Sequence, residues 1–241
     1  LVGCPQDPIW HPEGDVWTHT LLAVDQAAAL VREHELPKAK WLTVMLAVLL
    51  HDIGKPLTTR EEKGRIRSIG HEEAGLEPAR RVLDRLNVHT INGYEVRAQV
   101  LALVANHLKP AQFHKDRERV SDGAFRRLAA RCDLELLYLV AKADALARGP
   151  ASNSEAEEWF IARARALGVE HAPPRPLLMG RHLLELGMKP GPEMGRLLRA
   201  VYEMQLDGRV TTLEEALAAA RELLAQGSFA GRSERGPQAV Q

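Results

Sequence analysis

The sequence predicts an all-α protein, a helical bundle with a small helical subdomain towards its C-terminal end. Three observations carry that prediction. Ala, Leu, Glu and Arg abound, runs of β-branched residues are scarce, and only 4 Phe, 3 Tyr and 4 Trp occur, a composition of good helix formers. Apolar residues recur at three- and four-residue spacings between prolines and glycines that punctuate the chain. The stretch from Trp41 to Leu50 is apolar nearly all round, so it reads as a central helix covered by its neighbours.

Taken in order, residues 1–14 carry Pro5, Pro8, Pro12 and Gly14 and read as an irregular lead-in. Asp15 is a good N-cap for a helix from Val16 to His34, with Trp17, Leu21, Leu22, Val24, Ala28 and Val31 expected on its apolar side. Pro37 separates it from the central helix, Lys38 to His51. Residues 56–69 are polar and read as a surface excursion. A helix from His71 to Leu86 should kink or restart at Pro78. Asn92-Gly93 opens a helix ending at His107 and Leu108 and stopped by Pro110, and a charged loop is expected over 109–120. Ser121 or Asp122 caps a short helix to Cys132, Leu134 to Arg148 forms another, and Glu155 to Leu167 a third. Pro173, Pro174 and Pro176 form a linker, and Leu177-Leu178-Met179 starts a short helix stopping at Gly187. Met194 to Leu206 and Leu213 to Leu224 form a terminal pair, with a capping box from Thr211 and Glu214 or from Thr212 and Glu215. Residues 227–241 read as a disordered tail. The expected domains are therefore 15–170 and 171–226.

With 45% hydrophobic residues, 241 residues can bury a sizeable core. Lys and Arg number 32, as do Asp and Glu, so bulk charge does not drive attraction to polyanions, and any nucleic-acid contact needs a local basic patch. Cys4 and Cys132 form no metal or disulfide framework, which suits a reducing compartment. No run of 18 apolar residues occurs and the first residues lack the order of a signal peptide, so a cytoplasmic protein with no membrane partner is expected.

The chemistry gathers at Leu50-His51-Asp52-Ile53-Gly54-Lys55-Pro56, where an apolar helix stops at two adjacent ionisable groups. Burying such a pair is costly unless a metal, a charge or hydrogen bonds meet it. His19, His71, His107 and Asp144 are placed to complete a ligand set, and imidazoles with carboxylates suit divalent Mn, Fe, Co, Ni or Zn. Lys55 is the natural cation for a phosphate oxygen, Arg148 is a second candidate or else a solvated helix-end charge, and Glu72 could orient a ligand. His11, His34, His89, His114, His171 and His182 read as loop or surface histidines. Arg80-Arg81, Lys115 to Arg119 and Arg126-Arg127 read as solvated faces.

The order His19, His51-Asp52, Asp144 resembles the H…HD…D signature of the HD superfamily of metal-dependent phosphohydrolases. His71 and His107 resemble the additional ligands of its binuclear variants, which implies Asp52 as the bridge. The words His11-Pro12-Glu13-Gly14-Asp15-Val16-Trp17-Thr18-His19, Leu50-His51-Asp52-Ile53-Gly54-Lys55-Pro56 and Gly70-His71-Glu72-Glu73-Ala74-Gly75 resemble the HD region of bacterial CCA-adding tRNA nucleotidyltransferases, and Gly187-Met188-Lys189-Pro190-Gly191-Pro192 with Gln205-Leu206-Asp207-Gly208 resembles their tail. Their nucleotide-adding head has a Gly-Ser turn followed by Asp-x-Asp, and Asp133-Leu134-Glu135 lacks that context, so nucleotide addition is not expected. The HD module of end-healing enzymes fused to a polynucleotide kinase is similar too, but Gly54-Lys55-Pro56 is no phosphate-binding P-loop.

The resemblance implies an HD-type bundle holding one or two divalent ions (Mn, Co, Ni, Fe, Zn or Mg), with Asp52 and Lys55 catalytic. It implies a phosphohydrolase or phosphodiesterase on nucleotides or RNA 3′-ends carrying 2′,3′-cyclic phosphate or 2′-phosphate. A tRNA partner and a homodimer are compatible with it. The alternatives are a non-catalytic tRNA-binding or dimerisation module and a (deoxy)nucleotide phosphohydrolase.

Overall fold

The computed structural model describes residues 1–149 and 152–226; the tail expected over 227–241 lies outside the described residues. The first helix, α1 (Val16–Glu33), is capped by the Asp15 carboxylate, which accepts from the Thr18 amide at 2.8 Å. Its buried face is Val16, His19, Thr20, Ala23, Ala27, Leu30 and Val31. The expected apolar side is thus corrected: Trp17, Leu21 and Leu22 are 37%, 46% and 40% exposed. The inward positions were hard to see because two of them, His19 and Thr20, are polar.

Helix α2 (Lys38–Leu50) ends at the His51-Asp52 pair, and a turn leads into α3 (Lys55–Thr58). The polar excursion that follows is a hairpin of β1 (Arg60–Glu62) and β2 (Arg65–Arg67), paired antiparallel with Glu62 opposite Arg65. Lys63 and Gly64 both have positive φ, 52° and 71°, the twist a two-residue hairpin loop requires. Then come α4 (His71–Ala74) and α5 (Leu76–Arg85), with the break at Gly75 rather than Pro78. Pro78 falls in the first turn of α5, where amide hydrogens have no helical acceptor. Helix α6 (Val96–Asn106) ends at His107. The expected charged loop is corrected in part to α7 (Lys109–Lys115), in which Pro110 opens a helix instead of ending one.

Helix α8 (Asp122–Ala129) precedes α9 (Leu134–Ala147), whose Leu134, Leu136, Leu137, Leu139 and Val140 are fully buried. Helix α10 (Glu155–Ala166) follows, then α11 (Gly180–Glu185), α12 (Pro192–Leu206) and α13 (Leu213–Ala225), the last opened by the Thr212/Glu215 capping box. The short helix starts at Gly180, later than Leu177. Among the described residues, no helix is long and apolar enough to cross a membrane.

The chain divides into two units, Leu1–Val120 with Leu128–Pro173, and Ser121–Arg127 with Pro174–Gln241. In the first, α1, α2 and α9 pack on one another, α6 lies against α2, and α10 lies against α7 and α9. In the second, α12 packs on α13 and α11 around Leu183, Leu197, Val201 and Ala216. Arg126 and Arg127, expected as a solvated face, are tied down: Arg126 Nη1 donates to Leu206 O at 2.9 Å, and Arg127 pairs with Glu203 and Asp207.

The α3–α4 crossing sets the spacing of the site. A Cβ built on Gly54 would lie 2.1 Å from the His71 carbonyl oxygen and 2.5 Å from the Gly75 amide nitrogen. Only the missing side chain lets the two segments approach this closely.

Candidate metal centre

Four histidines and two aspartates from α1, the end of α2, the start of α4, the end of α6 and α9 converge in the first unit, all of them buried. Three of the imidazoles are aimed by the same contact. His51 Nδ1 lies 2.7 Å from Val48 O, His71 Nδ1 2.7 Å from Ser68 O, and His107 Nδ1 2.7 Å from Val104 O. A carbonyl oxygen only accepts, so each Nδ1 carries a hydrogen, and in the neutral ring each Nε2 then presents a lone pair inward. Val48 and Val104 are among the last carbonyls of their helices, which lack amide partners, so the rings satisfy them. His19 is aimed by a carboxylate instead, with Nδ1 2.6 Å from Glu13 Oε1.

The inward faces bring acceptors against acceptors. His19 Nε2 lies 3.0 Å from Asp144 Oδ1, His51 Nε2 3.2 Å from Asp52 Oδ2, and His71 Nε2 3.2 Å from both Asp52 Oδ1 and His107 Nε2. Among the described residues, His19 Nε2 and His51 Nε2 are buried with no hydrogen-bond partner. Facing lone pairs repel unless a cation lies among them. Protons do not relieve every contact. Burial opposes a charge on His51, yet adjacent Asp52 raises its proton affinity, whereas burial and then the charge of His51 push His107 down to about 3. Burial likewise opposes ionisation of Asp52 and Asp144, but His51 and Lys55 beside the one, and Arg148 and His19 beside the other, hold both well below the usual carboxylate range. Ionised carboxylates, Nε2 lone pairs and second partners on every Nδ1 make a donor set fitted to divalent metal. The groups His19, His51, Asp52 and Asp52, His71, His107 could each hold an ion, sharing Asp52.

Lys55 is buried, with Nζ 2.6 Å from Asp52 Oδ2 and 2.6 Å from Gln6 Oε1. Arg148 Nη2 spans both oxygens of Asp144 at 3.0 and 3.1 Å. Both cations line an open cavity of about 260 Å³ above Asp52, His71 and His107. Glu72 Oε2 lies 3.6 Å from His71 Nδ1, next to the ring but beyond a hydrogen bond.

The lead-in supplies what the sequence reading passed over. Gln6, Asp7, Trp10 and His11 line the same cavity, and Glu13 orients His19. His11 is corrected from a surface histidine: its Nδ1 lies 2.9 Å from the same Glu13 oxygen and its ring stands edge-on to His19 at 4.8 Å. Burial, then the charge of Lys55, push it down to about 4. The available signal was the spacing His11, Glu13, His19, two imidazoles bracketing a carboxylate. Glu157, buried on α10, was missed as well. Burial, and the negative charge of Asp144, push its carboxyl up to about 7.

The sequence model of the HD domain matches residues 16–149. The CC-adding tRNA nucleotidyltransferase of Thermus thermophilus is 41% identical over 90% of this chain and 46% of its own. The A-adding tRNA nucleotidyltransferase of Deinococcus radiodurans is 33% identical over 85% and 45%, and the multifunctional CCA protein of Halorhodospira halophila 51% identical over 36% and 18%. The chain thus spans less than half the length of each of these relatives. No solved structure matches it.

Proposed function

The chain belongs to the HD domain family, and on that premise we propose that it is a metal-dependent phosphohydrolase acting on nucleotides or RNA ends, with 2′,3′-cyclic phosphate or 2′-phosphate as the leading substrates. The observation that carries the reading is the convergence of four Nε2 lone pairs on two ionised carboxylates, each imidazole fixed in its tautomer from behind.

His19, His51, Asp52 and Asp144 would hold one divalent ion, and Asp52, His71 and His107 a second. Asp52 is suited to bridging because its Oδ1 faces His71 while its Oδ2 faces His51. When bound, such ions supply charge neutralisation at the phosphoryl group and acidify water. The protein's own groups do the rest. Lys55, which lines the cavity, meets a non-bridging phosphate oxygen, and Gln6 holds its ammonium. Arg148 keeps Asp144 ionised and turned towards His19, and its guanidinium faces the entering phosphate. The RNA assignment draws on the tRNA nucleotidyltransferases among the relatives; no Gly-Ser followed by Asp-x-Asp, which would support nucleotide addition, occurs in this sequence.

The test is metal content of the purified protein, followed by hydrolysis of 2′,3′-cyclic AMP with added Mn, Co or Ni. His51→Ala and Asp52→Ala should each lose at least about 100-fold in rate, since each removes a ligand. Hydrolysis that survives both substitutions refutes the site. A protein that retains metal, binds tRNA and hydrolyses no phosphoester is the non-catalytic module instead.

A further inference from the structure

Trp10 stands where two cavities meet. The one over the metal centre and an adjoining one of about 330 Å³ share two wall residues, Trp10 and Arg148. The second is bounded further by Ile9, Pro12, Ala145 and Asn153, and its volume suits a small organic ligand.

Trp10 is 61% exposed, yet its backbone is fixed. The Trp10 and His11 amides donate to Asp7 O at 3.0 and 2.9 Å, and the Ile9 amide donates to Asp7 Oδ1 at 3.0 Å, an Asx turn that locks residues 7–11. His11, the next residue, is anchored in turn by Glu13. A large flat side chain is therefore presented to the cleft from a stiff base, at low entropy cost to a ligand that stacks on it. Arg148, held by Asp144, adds a cation to the lining of both cavities. An aromatic side chain and a guanidinium shared by two adjoining cavities, one of them also lined by Lys55, match a flat ring joined to an anion. An aliphatic phosphate would gain nothing from the indole.

We propose that this junction is a nucleoside subsite, in which the base of a terminal nucleotide stacks on Trp10 in the cleft towards Asn153 while its phosphate lies by Lys55. The assignment rests on the phosphohydrolase reading for where the phosphate goes, and adds that the substrate is recognised through its base. Stacking on an aromatic is tolerant of base identity, so any of the four bases is accepted with similar affinity.

Two measurements on the full chain test it. Calorimetric titration with adenosine 2′-monophosphate should show Trp10→Ala binding about 10- to 100-fold more weakly than the native protein, with Trp10→Phe close to native, which is the range of one lost stacking contact. The kcat/KM for 2′,3′-cyclic AMP relative to that for glycerol phosphate, which has no base, should fall by a similar factor in Trp10→Ala, through KM. Unchanged affinity in Trp10→Ala, or an equal loss on both substrates, overturns the subsite and leaves the phosphohydrolase reading standing. Trp10-dependent nucleotide binding by a protein that hydrolyses neither substrate supports the subsite and overturns the hydrolase reading instead.

Discussion

Gly54→Ala puts a single methyl group into the α3–α4 crossing, and the structure allows its effect to be worked out. The added Cβ would meet the His71 carbonyl oxygen at 2.1 Å, with the Gly75 amide nitrogen at 2.5 Å and Gly75 Cα at 2.9 Å. Ordinary contact begins near 3.4 Å, so the two backbones must part by about 1.3 Å. The obstruction is main chain on every side, and no rotamer change relieves it. Gly54 itself has a helical φ of −84°, so Ala fits the local conformation and the whole effect comes from the collision. Overpacking of this kind costs about 1–3 kcal/mol, occasionally more. At the upper figure, a melting temperature should drop by roughly 6–12 °C. Function should suffer more than stability, because His51, Asp52 and Lys55 lie on one side of the crossing and His71 on the other. Metal ligation tolerates a few tenths of an ångström. Thermal unfolding followed by circular dichroism, and manganese affinity by calorimetry, measure the two effects on one preparation. Native melting temperature together with native metal affinity in Gly54→Ala would refute the close-approach argument.

Other substitutions probe other parts of the site and the core. Glu13→Ala removes the shared acceptor behind His19 and His11 and should weaken metal binding about 10- to 100-fold; chelator competition reads this, and an unchanged constant would remove Glu13 from the assembly. Glu157→Gln tests linkage. Burial raises the folded carboxyl to about 7 from an ordinary 4.5, so the folded chain holds a proton that the unfolded chain releases, and stability is lost as pH rises between those values. The amide should be more stable than the native protein at pH 8, by on the order of 1–3 kcal/mol, with the advantage fading by pH 4.5; denaturant melts giving a pH-independent difference would contradict this. Leu137→Ala, fully buried in α9, should cost about 2–5 kcal/mol in urea unfolding, and a loss below 1 kcal/mol would mean that this part of the core closes over the gap.

The all-α class was legible because long apolar periodicities bounded by prolines and glycines admit few other readings. His51 and Asp52 were legible for the opposite reason, as ionisable groups interrupting such a periodicity. Where an inward face was itself polar the pattern misled: His19 and Thr20 took core positions of α1, and Trp17, Leu21 and Leu22 took the outside. The β1–β2 hairpin was invisible because its three-residue strands are mostly charged and bury no face, leaving Lys63-Gly64 as the single clue. Pro110 is ambiguous in principle, since one ring both ends a helix and begins the next. Gln6, Trp10, His11 and Glu13 were hidden by the prolines around them, which mark irregular chain without saying what that chain covers. The convergence of segments as distant as His19 and Asp144 depends on α1 packing along α9, which no local pattern encodes.

The i to i−3 ring-to-carbonyl contact repeated at His51, His71 and His107 means that the compass bearing of each ring is written within four consecutive residues. Tertiary packing is left only the task of setting how far apart the segments stand. A substitution in the hydrophobic interior can therefore stretch or shrink the cluster while each of these three rings keeps the local contact that aims it.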